Sequence, residues 1–337
     1  MLRVTAPGRA GILGNPTDGY GGSMINCSIE NRAEVIIQKS PELILENQYG
    51  QTTLKWKNDF DNKGDYFDVV RSVLRCLKLY DLKAKITLNS NIPVQAGLAG
   101  STAILSSILS AVLAFTGQKY HKYYLAELNR IIELHYMKCQ CGYQDAYATT
   151  FGGLNYVDFR GKEYYRELEQ ENYATVEPLS PFIGSLPFVI AHTGIKHHSG
   201  DFHKPLRERW LEGEKKVVEG YAEIADIARE GKKALLNENW EELGYLMSKN
   251  HEIQDSIADS GEQNNYMIKV AKDNGALAAK LAGAGGGGTI IALTLEPERT
   301  KEALGEAGVE TFVELDPFAD GVTVERLDDS SGHVAAI

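Results

Sequence analysis

The sequence predicts an α+β protein of two domains, and three observations carry that prediction. At 337 residues the chain exceeds the size at which a single core keeps growing. Segments with strand chemistry and segments with helical spacing follow one another without an internal repeat. A hydrophobic content of 43% and a charged content of 24% are ordinary for a globular protein. The boundary is placed between about Asp158 and Leu186, which gives domains of residues 1–170 and 171–337.

The elements follow in order. "MLRVTAPGRAGILG" opens as a short strand that breaks into a Gly/Pro loop. "RAEVIIQK" and "LKAKITLN" gather β-branched residues as strands do. Ser101 to Phe115 is too long and too rich in leucine and alanine for a strand, and Gly117 suits its C-terminal stop. "YLAELNRIIELHYMK" places Leu125, Leu128, Ile131, Ile132 and Met137 at helical spacing. "FGGLNYVDF" returns to strand chemistry, and "LPFVIAHTG" reads as a buried strand ending in a loop of small and basic residues. Helices are expected from about Pro205 to Arg229, from Lys232 to His251, and in "QNNYMIKVAKDNGA" with a stop near Gly275. "AAKLAGAGGGGTIIALTL" is a glycine loop leading into a strand, "PERTKEALGEAG" a helix, and "ETFVEL" a strand. The last residues, "LDDSSGHVAAI", are expected to fray.

Charge and cysteine usage exclude several partners. The net charge is −11 and no block of lysine and arginine stands out, which argues against nucleic acid or a membrane surface as the main partner. Cys27, Cys76, Cys139 and Cys141 form no CxxC pair and no disulfide-like framework, as expected in a reducing cytoplasm. Cys139 and Cys141 could supply two metal ligands, but nothing nearby completes a site. "MLRVTAPGRAG" is no signal peptide and no apolar run reaches transmembrane length. A monomer or homodimer is expected.

Four stretches are candidates for chemistry, each with a bland rival. In "NIPVQAGLAGSTAILSSILSAVLAFTG", Gly97 and Gly100 let backbone amides converge at the start of a helix where Ser101 or Thr102 begins it, and such an end attracts phosphate. The rival is a serine N-cap on a core helix. The "GAGGGG" loop fits G-x-G-x-x-G, but a helix is read before it and a strand after it, so nicotinamide binding is rejected. Five glycines in six residues point instead to close approach of a ligand or another loop. "APGRAGILGNPTDGYGG" is densely punctuated and carries Arg9, Asn15, Thr17 and Asp18, suited to a hydroxyl-rich ligand or to a plain surface loop. Glu133, and Asp145 between Tyr143 and Tyr147, could divide the holding of a divalent cation and the handling of a proton, or simply be solvated acids.

Together these pieces resemble the GHMP kinase superfamily. Its three motifs stand in order as "APGR…GNPTDGYGG", "PVQAGLAGSTA" and "KLAGAGGGG", across nearly the whole chain. The resemblance implies a ribosomal-protein-S5-like N-terminal domain and a ferredoxin-like α/β C-terminal domain. Within the superfamily, "GNPTDGYGG", "KPLRERWLEGEKKV" and "KKALLNENWEELGYLMSKNHEI" look like glucuronokinases and related sugar-1-kinases.

That likeness assigns roles by position. Pro93, Gly97, Leu98, Gly100, Ser101 and Thr102 would wrap the ATP phosphates, with Ser101 and Glu133 near Mg²⁺. Asp145 matches the catalytic aspartate and Arg9 the basic residue beside the reacting hydroxyl. Asn15, Thr17 and Asp18 would face the sugar. Gly283, Gly285, Gly286 and Gly287 would support the nucleotide loop. One of Lys196, His198 or Arg207 would read the carboxylate of a uronic acid, since a guanidinium or another cation suits that group. The expected activity is ATP-dependent phosphorylation of a sugar hydroxyl, most of all the anomeric hydroxyl of a uronic acid. The alternatives are a D-glycero-D-manno-heptose kinase, a mevalonate-type kinase, and a catalytically silent sugar or nucleotide sensor.

Overall fold

The computed structural model describes residues 1–162, 170–194, 199–283 and 288–327. Two sheets organise them. The first has eight strands and contains β1 (Leu2–Leu13), β2 (Ser23–Lys39), β3 (Leu43–Asn47), β4 (Gly50–Leu54), β5 (Ala84–Ser90), β6 (Leu154–Asp158), β7 (Thr175–Pro178) and β12 (Thr323–Arg326). Its main path runs β12-β1-β2-β5-β3-β4, and β6 pairs with the outer half of β2 and with β7. The β3–β5 pairing is parallel and the others are antiparallel. The second sheet is a four-stranded antiparallel one, in the order β11 (Thr311–Val313), β8 (Phe188–His192), β10 (Thr289–Thr294), β9 (Ala276–Leu281).

Nine helices cover these sheets among the described residues: α1 (Asp68–Cys76), α2 (Gly100–Phe115), α3 (Lys122–Ile131), α4 (Gln144–Phe151), α5 (Ser199–Leu211), α6 (Lys215–Leu236), α7 (Trp240–Ala258), α8 (Glu262–Asp273) and α9 (Pro297–Glu306). Helix α2 is apolar nearly all round and buried along most of its length against β1 and β2. Burying one leucine or isoleucine is worth about 1.5–3 kcal/mol, so packing rather than capping holds this helix. The strand β10 is buried on both faces. Ile291 and Leu293 face the core with α6 and α7, and Ile290 and Ala292 face the core with α8 and α9. The period-two alternation of a strand serves two helical layers at once.

One apolar cluster joins the sheets. It takes Ile12, Leu13 and Ile25 from the first, Ile190 and Ile291 from the second, and Ile227, Leu243 and Met247 from α6 and α7. The α+β expectation and the two-sheet architecture hold. The chain, however, does not divide cleanly near residue 170, because β7 and β12 lie beyond it and hydrogen-bond into the first sheet.

Several elements differ from the sequence reading. Strand β1 does not break at the Gly/Pro segment; it runs to Leu13 with register shifts between Pro7 and Arg9 and between Gly11 and Leu13. Such bulges let a strand carry proline and re-aim its side chains. The long helical stretch breaks at Gly213 (φ 73°) and again near Asn237, so the expected Pro205–Arg229 and Lys232–His251 helices become α5, α6 and α7. The helix expected in "QNNYMIKVAKDNGA" is α8, and a strand that carried no expectation, β9, stands between it and the glycine loop. The loop is therefore a β-hairpin connection, still not the strand–loop–helix order that a dinucleotide fingerprint needs. The β3–β4 hairpin and α1 carried no sequence expectation. Among the described residues, no helix is long and apolar enough to cross a membrane.

Candidate active site

The site begins at the N-terminus of α2. Gln95, Gly97 and Ala99 all take positive φ, at 57°, 76° and 60°. Ala99 occupies the cap position in left-handed geometry, and no side chain caps the helix. The serine N-cap reading therefore fails: Ser101 lies inside the first turn and is exposed. Positive φ at alternate residues is the kind of backbone in which N–H groups can converge on an anion. Pro93 and Gly100 are half-buried in this turn, while Leu98 and Thr102 are buried beneath it.

The three glycine-rich segments meet here. Arg9, 4% exposed on β1, donates from its backbone to the Leu98 carbonyl (3.1 Å) and from Nη1 to the Gly97 carbonyl (2.6 Å). Its Nε and Nη2 reach Asp145 Oδ1 at 2.8 and 2.6 Å. From the second sheet, Thr289 Oγ1 donates to the Ala96 carbonyl (2.6 Å), and Gly11 N donates to the Ala282 carbonyl (2.7 Å). Gly283 lies so close to the turn that a Cβ there would stand 3.0 Å from the Gly97 carbonyl oxygen. Gly285, Gly286 and Gly287 lie outside the described residues, as do Lys196 and His198.

Asp145 sits in the first turn of α4, with its side chain one-third exposed. Glu133 follows α3 in a π-helical turn (Ile132–Tyr136) and is half-buried. Thr102 Oγ1 donates to its two carboxylate oxygens at 3.2 and 3.3 Å, so Glu133 faces the start of α2. Burial, and then the charge of Asp145, push the Glu133 carboxyl up to about 7. Hydrogen bonds from Thr102 and Cys141 and the charge of Arg130 oppose that rise. Glu133 and the hydroxyls of Ser101 and Thr102 are hard oxygen donors at one helix end, a set suited to a divalent cation that also takes phosphate oxygens. Among the described residues, no group of three or more histidine, cysteine or acidic side chains is placed to hold a metal ion by itself.

A small pocket is lined by Pro16, Asp18, Tyr20, Gln140, Cys141 and Arg207. Arg207, on α5, donates to Gln140 Oε1 (3.2 Å). Tyr20 packs on Trp210 and Tyr221, ring centroids 5.1 and 4.8 Å apart, which pins α5 and α6 to the first motif.

Two residues expected at the sugar turn away from it. Asn15 is fully buried; its Oδ1 accepts from Lys280 Nζ (2.7 Å) and its Nδ2 donates to the Leu281 and Gly283 carbonyls. Thr17 Oγ1 donates to the Gly14 carbonyl (2.7 Å) and is buried. Both short side chains are spent on closing the turn and fixing it to β9. Asp18 does reach the pocket wall, with one oxygen bound to backbone amides of Tyr143 and Gln144. Sequence reasoning missed Asn250, which holds Gly14 N (3.0 Å), and Thr289 and Gln140, because their partners are remote in sequence. Lys280 left one signal: a lone cation inside the apolar strand "ALAAKL".

An alcohol-acceptor phosphotransferase is the class that this arrangement suits: a helix end without a side-chain cap, an Arg–Asp pair, and a pocket lined by Asp18 and Arg207. Comparison with known proteins agrees. The model of the GHMP kinases N terminal domain matches residues 67–153, and that of the GHMP kinases C terminal matches residues 232–312. The chain is 29% identical over 301 residues to Glucuronokinase 1 of Arabidopsis thaliana, covering 82% of this chain and 81% of the relative. It is 30% identical over 307 residues to Probable glucuronokinase 2 of Arabidopsis thaliana, with the same coverage of 82% and 81%. The crystal structure of Lactococcus lactis galactokinase complexed with galactose superposes with a TM-score of 0.78 at 17% identity, over 96% of this chain and 95% of that one. The chain belongs to the GHMP kinase family.

The Lys280 ammonium yields a pH prediction. Burial, and then the charge of Arg9, lower its pKa from 10.5 to about 7 in the fold. Between those values the unfolded chain binds the extra proton, so this group makes stability rise with pH. The penalty is fully present below about pH 7 and gone above about pH 10.5. Denaturant midpoints at pH 7 and pH 9.5 should therefore rise more in the native protein than in Lys280→Met; equal rises would show that Lys280 is charged in the fold.

Proposed function

We propose that this chain transfers the γ-phosphoryl group of ATP to a sugar, at the anomeric hydroxyl of a uronic acid. The observation that carries the reading is the Arg9–Asp145 pair. It ties the Asp145 carboxylate to the Gly97 carbonyl in the turn that opens α2. Phosphoryl transfer passes through a loose transition state with charge on the transferring oxygens, so positioning and electrostatics dominate. The amides at the start of α2 face that charge, and Arg9 adds a guanidinium already held in place by Gly97 and Asp145. Asp145 orients the acceptor hydroxyl and takes its proton. An anomeric hydroxyl is more acidic than an ordinary alcohol, which suits a carboxylate base. Ser101 and Glu133 would hold Mg²⁺, which when bound neutralises phosphate charge.

Arg207 supports the uronate. It is the cation that α5 brings to the pocket wall, and a planar guanidinium pairs with a carboxylate through two parallel hydrogen bonds. The resemblance to glucuronokinases, over about four-fifths of each chain, supports the same substrate class.

Two measurements test the reading. Asp145→Asn should lower kcat by about 10²–10⁴-fold, the usual span for acid–base catalysis, with nucleotide affinity retained; near-native turnover would remove Asp145 from the chemistry. In a coupled ADP-release panel of uronic acids, hexoses, heptoses and mevalonate, glucuronate should exceed glucose, and Arg207→Leu should abolish that preference. Equal use of glucuronate and glucose by the native protein would refute the uronate assignment.

A further inference from the structure

We propose that Asp18 is a positioning residue for the reaction, acting through Asp145: its carboxylate caps the helix that carries the catalytic aspartate. This rests on the reading of Asp145 given above. Helix α4 receives no cap from its own N-cap side chain. Its entry is satisfied from 125 residues upstream, where Asp18 Oδ2 accepts both Tyr143 N (2.6 Å) and Gln144 N (2.8 Å). A charged acceptor shared by two orphan amides at a helix N-terminus is a strong cap, favoured also by the helix dipole.

Other contacts fix the same turn. Asp18 is 7% exposed. The approach is so close that a Cβ on Gly142 would stand 1.9 Å from Oδ2, so only glycine fits before Tyr143. The Tyr143 ring lies 3.9 Å from the Arg130 guanidinium and 4.4 Å from Lys162 Nζ, and its hydroxyl donates to Glu171 (3.2 Å). Asp145 is the next residue after Gln144. Its backbone is thus set from one side by Asp18 and its carboxylate from the other by Arg9. Both anchors come from the first motif, on β1 and on the helical turn Thr17–Tyr20. A sugar contact alone would require neither the two amide bonds nor the bare Gly142.

The test is a kinetic cycle on the full chain with ATP and glucuronate. Asp18→Ala should lower kcat about 10²-fold, the cost of a displacement near 1 Å at a reacting group, while KM for ATP stays close to native. Asp18→Asn keeps an acceptor oxygen and should recover most of the loss. In the Asp145→Asn background, Asp18→Ala should cause no further loss, since both act on one group. Gly142→Ala retains the Asp18 carboxylate but obstructs the cap, and should reproduce the kcat loss even if Asp18→Ala does not fold. The cap role is overturned by a raised KM with native kcat, by an undiminished loss in the Asp145→Asn background, or by a native kcat in Gly142→Ala. Full turnover of Asp145→Asn alone would overturn the underlying reading instead, and the catalytic role of the cap with it.

Discussion

Arg9 is the group on which the site depends. It is a guanidinium almost wholly withdrawn from water, and a buried cation is tolerated only when its donors are met. Two segments meet them, the turn through the Gly97 carbonyl and α4 through the Asp145 carboxylate, and the Arg9 backbone amide adds a bond to the Leu98 carbonyl. The turn at residues 97–98 and the Asp145 carboxylate are thereby referenced to one rigid strand. A side chain on a loop would not hold both to the tolerance that phosphoryl transfer asks.

The rest of the fold secures that strand. Strand β1 lies between β2 and β12 in the first sheet, and its far end enters the core shared with α6, α7 and the second sheet. A second polar layer joins the sheets below the site. Asn15, Lys280 and Asn250 bond to one another and to the Gly14 amide and the Leu281 carbonyl, all out of solvent. Groups of this kind contribute little net stability when satisfied and cost heavily when one partner is lost. They specify how the first motif sits on β9, which an apolar contact would leave free to slide.

Much of this was legible in the sequence. Length and periodicity gave an α+β chain of mixed strands and helices, and α2 was bounded to within a residue because a leucine- and alanine-rich run ends at Gly117 with φ of 72°. The order of the three glycine-rich motifs carried the site. What stayed hidden was how the short polar residues between the glycines divide their work. Asn15 and Thr17 look as suited to a ligand as Asp18 does, yet tertiary pairing turns them inward toward Lys280 and Gly14. The bulges that keep β1 extended through Pro7 and Gly8 are set by the register of β2, and no local propensity encodes that. The strand β9 goes unread, its residues taken into the glycine loop, because a run of alanines has little strand propensity, while two flanking helical layers make any apolar residue acceptable in a strand.

The most direct measurement is a crystal structure with a non-hydrolysable ATP analogue and glucuronate. The account requires the β- and γ-phosphates within hydrogen-bond distance of the amides at residues 97–101, and the Asp145 carboxylate facing the anomeric hydroxyl. Phosphates lying away from that turn, or a sugar seated where Asp145 cannot reach it, would contradict it.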